Sequence, residues 1–138
     1  MTFTLPIITI ELAIAIALLQ AFLMFRVGNY RAKIGVNLGD GGDPVLLRRI
    51  RAHGNLAENA ALILVLLAFA EMAGAPAVVV MSFAGLFFVA RLAHAVAISK
   101  EKSSQVLRGI GALGTVGSLA GLAITLIIVA EIPYLAGL

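Results

Sequence analysis

Four long, nearly unbroken apolar runs constrain this chain more than any other feature. They lie at approximately Phe3 to Phe25, Leu56 to Ala73, Ala77 to Ile98 and Gly109 to Ile132, each near the roughly 20 residues that cross a hydrocarbon core about 30 Å thick. The stretch from Ala61 to Phe69 is apolar at every position, whereas a transmembrane barrel strand alternates apolar with polar residues. Helices are therefore expected, and the chain reads as an all-α polytopic membrane protein, a four-transmembrane-helix bundle. Composition agrees: 62% of residues are hydrophobic and 12% charged, against roughly a quarter charged in soluble domains. A soluble enzyme and a nucleic-acid binder are both excluded, despite a net charge of +3. The absence of cysteine removes thiol nucleophiles, disulfides and Cys-ligated metals, so any sulfur chemistry must come from a ligand.

The 138 residues leave room for one domain, residues 1–138, with helices at about 3–26, 44–73, 76–99 and 104–132. The first run lacks a basic leader and a small-residue cleavage site and reads as a retained span. Asp43-Pro44 has the form of an N-cap followed by proline at the first helical position. A helix from Pro44 to Ala73 is about 45 Å long, so its first turns project beyond the bilayer. Gly74 and Pro76 close this helix and open the next; Ser103 or Ser104 caps the fourth, and Pro133 ends it. The glycine-rich segment Asn37 to Asp43 lacks the Gly-Lys-Ser/Thr ending of a phosphate loop. All ten Lys and Arg residues fall between Arg26 and Arg108, in or beside the first and third loops. By the positive-inside rule those loops are cytoplasmic and both termini lie outside.

The polar residues near the spans share one depth. Arg51, Asn55 and Glu58 are spaced i, i+4 and i+7 on one helical face. Arg91 and His94 lie one to two turns before the end of the third helix, Arg108 begins the fourth, and Arg31 and Lys33 follow the first. Ionisable residues within spans mark function more often than in soluble proteins. A structural ion pair between Glu58 and Arg91 is an alternative, as is a hydrogen-bonded interior role for His94. Arg26, Arg48, Arg49, Lys100 and Lys102 read as cations that reach the head groups. No metal site is expected, since the spacing of His53 and Glu58 does not match the zinc helix motif. The row Gly111, Gly114, Gly117 and Gly121 reads as a close-packing face, within one chain or between chains. Glu11, in the first helix, also suggests a proton-coupled exporter of the small multidrug resistance type. Its place near the outer end and the cationic layer both weigh against that reading.

The segment Arg51-Ala-His-Gly-Asn-Leu-Ala-Glu58 before a long apolar helix resembles the signature of the MAPEG family, membrane-associated proteins of eicosanoid and glutathione metabolism. The likeness extends to Asn29-Tyr-Arg-Ala-Lys33, to Ala90-Arg-Leu-Ala-His94 and to Arg108, so it covers nearly the whole chain and is nearest to small bacterial members. It implies a homotrimer in the bacterial inner (cytoplasmic) membrane, with both termini periplasmic and glutathione bound between subunits on the cytoplasmic side. It assigns glutathione contacts to Arg31, Arg51, Asn55, Glu58, Arg91 and His94, and the place beside the thiol to Arg108 as catalytic residue.

Glutathione carries two carboxylates and one ammonium, so arginines suit its acids and a glutamate its amine. A guanidinium beside the sulfur favours the thiolate over a thiol of ordinary pKa about 8.5. The implied function is a glutathione-dependent transferase or peroxidase of broad specificity, acting on hydrophobic electrophiles that arrive from the membrane among its lipids. The chain departs from family patterns at Gly54, where some eukaryotic prostaglandin synthases have arginine, and at Ile98, where many members have tyrosine. It departs again at Gly109, where those synthases have serine, so dedicated prostaglandin or leukotriene synthesis is not expected. A non-catalytic lipid-binding accessory trimer is the alternative function.

Overall fold

The computed structural model describes residues 5–100 and 104–137. It is helical, with no strand among the described residues. The long helices are α1 (Ile7–Ile34), α2 (Pro44–Met72), α3 (Ala77–Ser99) and α4 (Gln105–Leu126). A π-helical turn at Ile127–Glu131 joins α4 to a last short helix, α5 (Ile132–Leu135). All four long helices are long and apolar enough to cross a membrane.

Local chemistry sets the limits. Asp43 Oδ1 accepts from the backbone N–H groups of Val45 and Leu46 at 2.8 and 2.7 Å, satisfying two otherwise unpaired donors at the start of α2. Ser104 does the same for α4 through Leu107 N–H; Ser103 lies outside the described residues. Helix α1 continues to Ile34 rather than ending near Arg26. Leaving the apolar run does not end a helix, and the first stop signal is Gly35, which takes the left-handed conformation at φ +71°. Arg31 and Lys33 occupy the last turn, where cations complement the helix dipole. The expected start of this helix at residue 3 lies outside the described residues. Pro133 does not end the fourth span either. Proline lacks an N–H and crowds the carbonyl four residues earlier, and here the π-turn precedes it while Pro133 sits in the first turn of α5.

The helices run antiparallel in sequence order. The start of α1 meets the end of α2, where Glu71 Oε1 accepts from Ile8 N–H and Oε2 from Thr9 N–H and Thr9 Oγ1, each at 2.9 Å. Near its other end, Arg49 of α2 donates to the Arg26 carbonyl at 3.0 Å. Helix α2 touches the other three long helices, and α4 packs most closely on α3. Leu12, Ile16, Leu56, Ile63, Leu67, Phe87 and Leu122 fill the interior. Outward-facing positions are also apolar, including Leu18, Phe22, Leu62, Phe69 and Leu113, as expected where the surrounding solvent is lipid.

The glycine row of α4 packs inside the chain. A Cβ on Gly111 would stand 2.7 Å from His94 Cβ and 3.1 Å from the Ala90 carbonyl oxygen, and one on Gly121 would overlap the Phe83 ring. Only hydrogen at these positions lets α4 approach α3 so closely. That approach brings α4 against Arg91 and His94.

Candidate functional site

At the end of the bundle that carries the basic residues, an open cleft of about 390 Å³ lies between α2, α3 and α4. Its walls are Leu47, Arg48, Arg51 and Asn55 from α2, His94 and Ile98 from α3, then Lys100, and Arg108 from α4. Arg48, Arg51 and Asn55 share the cleft because spacings of three and four residues return to one helical face. Among the described residues, four cations and no carboxylate line it.

Arg91 lies behind this wall. It is buried, at 3% exposure, and its guanidinium donates to Asn55 Oδ1, to the Gly111 carbonyl at 2.8 Å and to Thr115 Oγ1. Thr115 in turn donates to the Gly111 carbonyl at 2.7 Å. One side chain of α3 thus ties α2 to α4 and holds Asn55, which faces the cleft. The Arg91 charge also stands 5.5 Å from the centre of the Phe87 ring, within reach of a cation–π attraction. Its Nε has no hydrogen-bond partner. A smaller space of about 210 Å³ adjoins it, lined in part by Asn55, Asn59, His94 and Thr115.

Of the seven residues singled out from the sequence, Arg51, Asn55, His94 and Arg108 meet in the cleft. Arg91 reaches it only through Asn55. Glu58 and Arg31 do not line it. The Glu58–Arg91 ion pair considered above does not form, because Arg91 spends its donors on neutral acceptors while Glu58 is exposed. Arg31 is half-buried, and its buried Nη1 has no partner among the described residues.

Two cleft cations, Arg48 and Lys100, were expected only to reach head groups. The signal for Arg48 was its position three residues before Arg51, on the same face. Lys100 carried no such signal, since it follows the last turn of α3. Arg49, adjacent to Arg48, turns away and stacks over Tyr30 at 4.3 Å. Thr115 was also missed; its place one turn after Gly111 puts a hydroxyl in the close-packing row.

The model of the MAPEG family matches residues 9–128, a range that takes in all but the first two residues of the four long helices and every residue of the polar layer. No curated protein and no solved structure matches the chain.

Proposed function

Because the chain belongs to the MAPEG family, an integral membrane family of four-helix bundles that includes glutathione-dependent enzymes and non-catalytic members, we propose that it is a glutathione-dependent transferase or peroxidase acting on hydrophobic electrophiles. The observation that carries this reading is the cleft of four cations, an amide and an imidazole, with no carboxylate among the described residues that line it. Such a donor set suits a small peptide with two carboxylates and a thiol, and the volume falls in the range of about 300–1,000 Å³ for small-molecule sites.

Arg48, Arg51 and Lys100 bind the peptide's carboxylates, and Asn55, held by Arg91, orients an amide of its backbone. Arg108, at the start of α4, sits beside the sulfur and lowers the free energy of the thiolate. The bound thiolate attacks an electrophilic centre and gives a conjugate, or takes the terminal oxygen of a hydroperoxide to release the alcohol, after which a second glutathione displaces water from the oxidised sulfur to form glutathione disulfide.

The assembly is a homotrimer, as MAPEG proteins generally are. Arg51 and Glu58 project from the same exposed face of α2, and Arg31 has a buried, unpartnered Nη1. A neighbouring copy on that face would join Glu58 and Arg31 to the cleft, Glu58 receiving the peptide's ammonium. The basic end faces the cytoplasm of a bacterial inner membrane, following the concentration of Lys and Arg there.

The test is turnover of a hydrophobic electrophile with glutathione. Arg108→Ala should lose at least about tenfold in kcat, the equivalent of about 1.4 kcal/mol, while still binding glutathione. Retained turnover in that variant contradicts the assignment of Arg108. No thiol consumption by the wild type with any electrophile, together with retained lipid, favours the non-catalytic accessory role.

A further inference from the structure

A second groove, of about 210 Å³, lies between α1 and α3 at the basic end. Its floor is apolar, formed mainly by Phe22, Leu92, Ala95 and Val96, and its rim carries Arg26, Ser99 and Lys100. The rim marks a definite depth. Arg26 is the first residue after the apolar run of α1, and Ser99 and Lys100 are where α3 ends. Hydrocarbon therefore gives way to head groups where the groove changes from apolar to cationic.

Arg26 is also held in place. Its Nη1 donates to Ser99 Oγ at 3.3 Å, its charge lies 5.8 Å from the centre of the Phe22 ring, and its own carbonyl is anchored by Arg49. The hydroxyl is neutral, so this contact leaves the guanidinium charge uncompensated. A side chain merely extending towards the membrane surface would need none of these contacts.

We propose that this groove is a binding site for an anionic phospholipid, with its phosphate against Arg26, Ser99 and Lys100 and one acyl chain along Phe22, Leu92 and Val96. Charge complementarity selects the head group: among the described residues two cations and no carboxylate line the groove, so the ammonium of a zwitterionic lipid finds no partner among them. The apolar floor, continuous with the rim, selects a lipid over free phosphate. Lys100 also lines the larger cleft, so bound lipid should weaken glutathione binding; this coupling rests on the proposed glutathione site, whereas the lipid site does not.

The experiment is native mass spectrometry of the full chain released from nanodiscs that contain equal phosphatidylglycerol and phosphatidylcholine of matched acyl chains, without glutathione. Wild type and Lys33→Gln, which alters an exposed cation outside the groove, should retain phosphatidylglycerol in preference. Arg26→Gln should weaken retention about fivefold, from about 1 kcal/mol per cation, and Lys100→Gln repeats that test if Arg26→Gln fails to fold. Ala95→Phe fills the floor without changing charge and should also lower retention. Equal retention of the two lipids by the wild type overturns the proposal. So does an Ala95→Phe variant that behaves as wild type, or a Lys33→Gln variant that loses as much as Arg26→Gln.

Discussion

Arg91 shows how one residue links stability to function. A guanidinium buried among helices is tolerated when most of its donors are met by well-placed acceptors; Asn55, Gly111 and Thr115 serve both terminal nitrogens of Arg91, leaving only Nε without one among the described residues. Arg91→Ala should therefore lower unfolding free energy by about 2–4 kcal/mol, read as a fall in melting temperature in detergent. Arg91→Lys should recover only part of this, because an ammonium lacks the planar fork. A stable Arg91→Ala variant would contradict the role of Arg91 as a tie between helices. Ile98 supplies a second prediction. It lines the cleft, so Ile98→Tyr offers a hydroxyl there and should tighten glutathione binding about two- to tenfold, the net worth of one hydrogen bond. Calorimetric titration of both proteins would check this, and unchanged affinity in a folded variant would place the bound peptide away from α3. The residue types of this site were legible in the sequence, but their directions were not. Arg48 and Arg49 are neighbours in the chain, yet one faces the cleft and the other stacks on Tyr30. That division depends on how α2 is rotated against α1, which no local pattern specifies.

Among the helices, the limits set by local chemistry could be read in advance, as at Asp43-Pro44 and Ser104, where a side chain caps its own helix. Limits set by neighbours were less visible. Glu71, near the end of α2, meets the first N–H groups of α1 more than sixty positions away in the chain. A carboxylate there satisfies free donors and complements the helix dipole. The glycine row of α4 divides in the same way. A Cβ on Gly114 would lie 2.7 Å from Ala90 Cβ, whereas one on Gly117 meets nothing nearer than 3.8 Å. Gly114→Ala should destabilise by about 1–3 kcal/mol through overpacking. Gly117→Ala should be neutral or stabilise by up to about 1 kcal/mol through helix propensity. Melting temperatures of the two variants test the packing of α4 on α3, and equal effects would contradict it.

At the scale of the whole molecule, charge and hydropathy divide the bundle into an apolar body and one cationic end. Lipid meets the apolar faces, and the cleft opens at the cationic end, between α2, α3 and α4. Glu58 and Arg51 share an exposed face of α2, so a single copy leaves a glutamate at the edge of the membrane without a cation from α3. The proposed homotrimer would set a second copy against this face. The central claim is that the cationic cleft binds glutathione, and the most direct test is the thermal stability of the purified protein as glutathione is added. Specific binding stabilises the folded state by about 2.7 kcal/mol at a hundred times the dissociation constant. The account predicts a concentration-dependent rise in melting temperature that Arg51→Ala abolishes and Lys33→Ala leaves intact. No rise up to about ten millimolar glutathione, or an equal rise in Arg51→Ala, would contradict it.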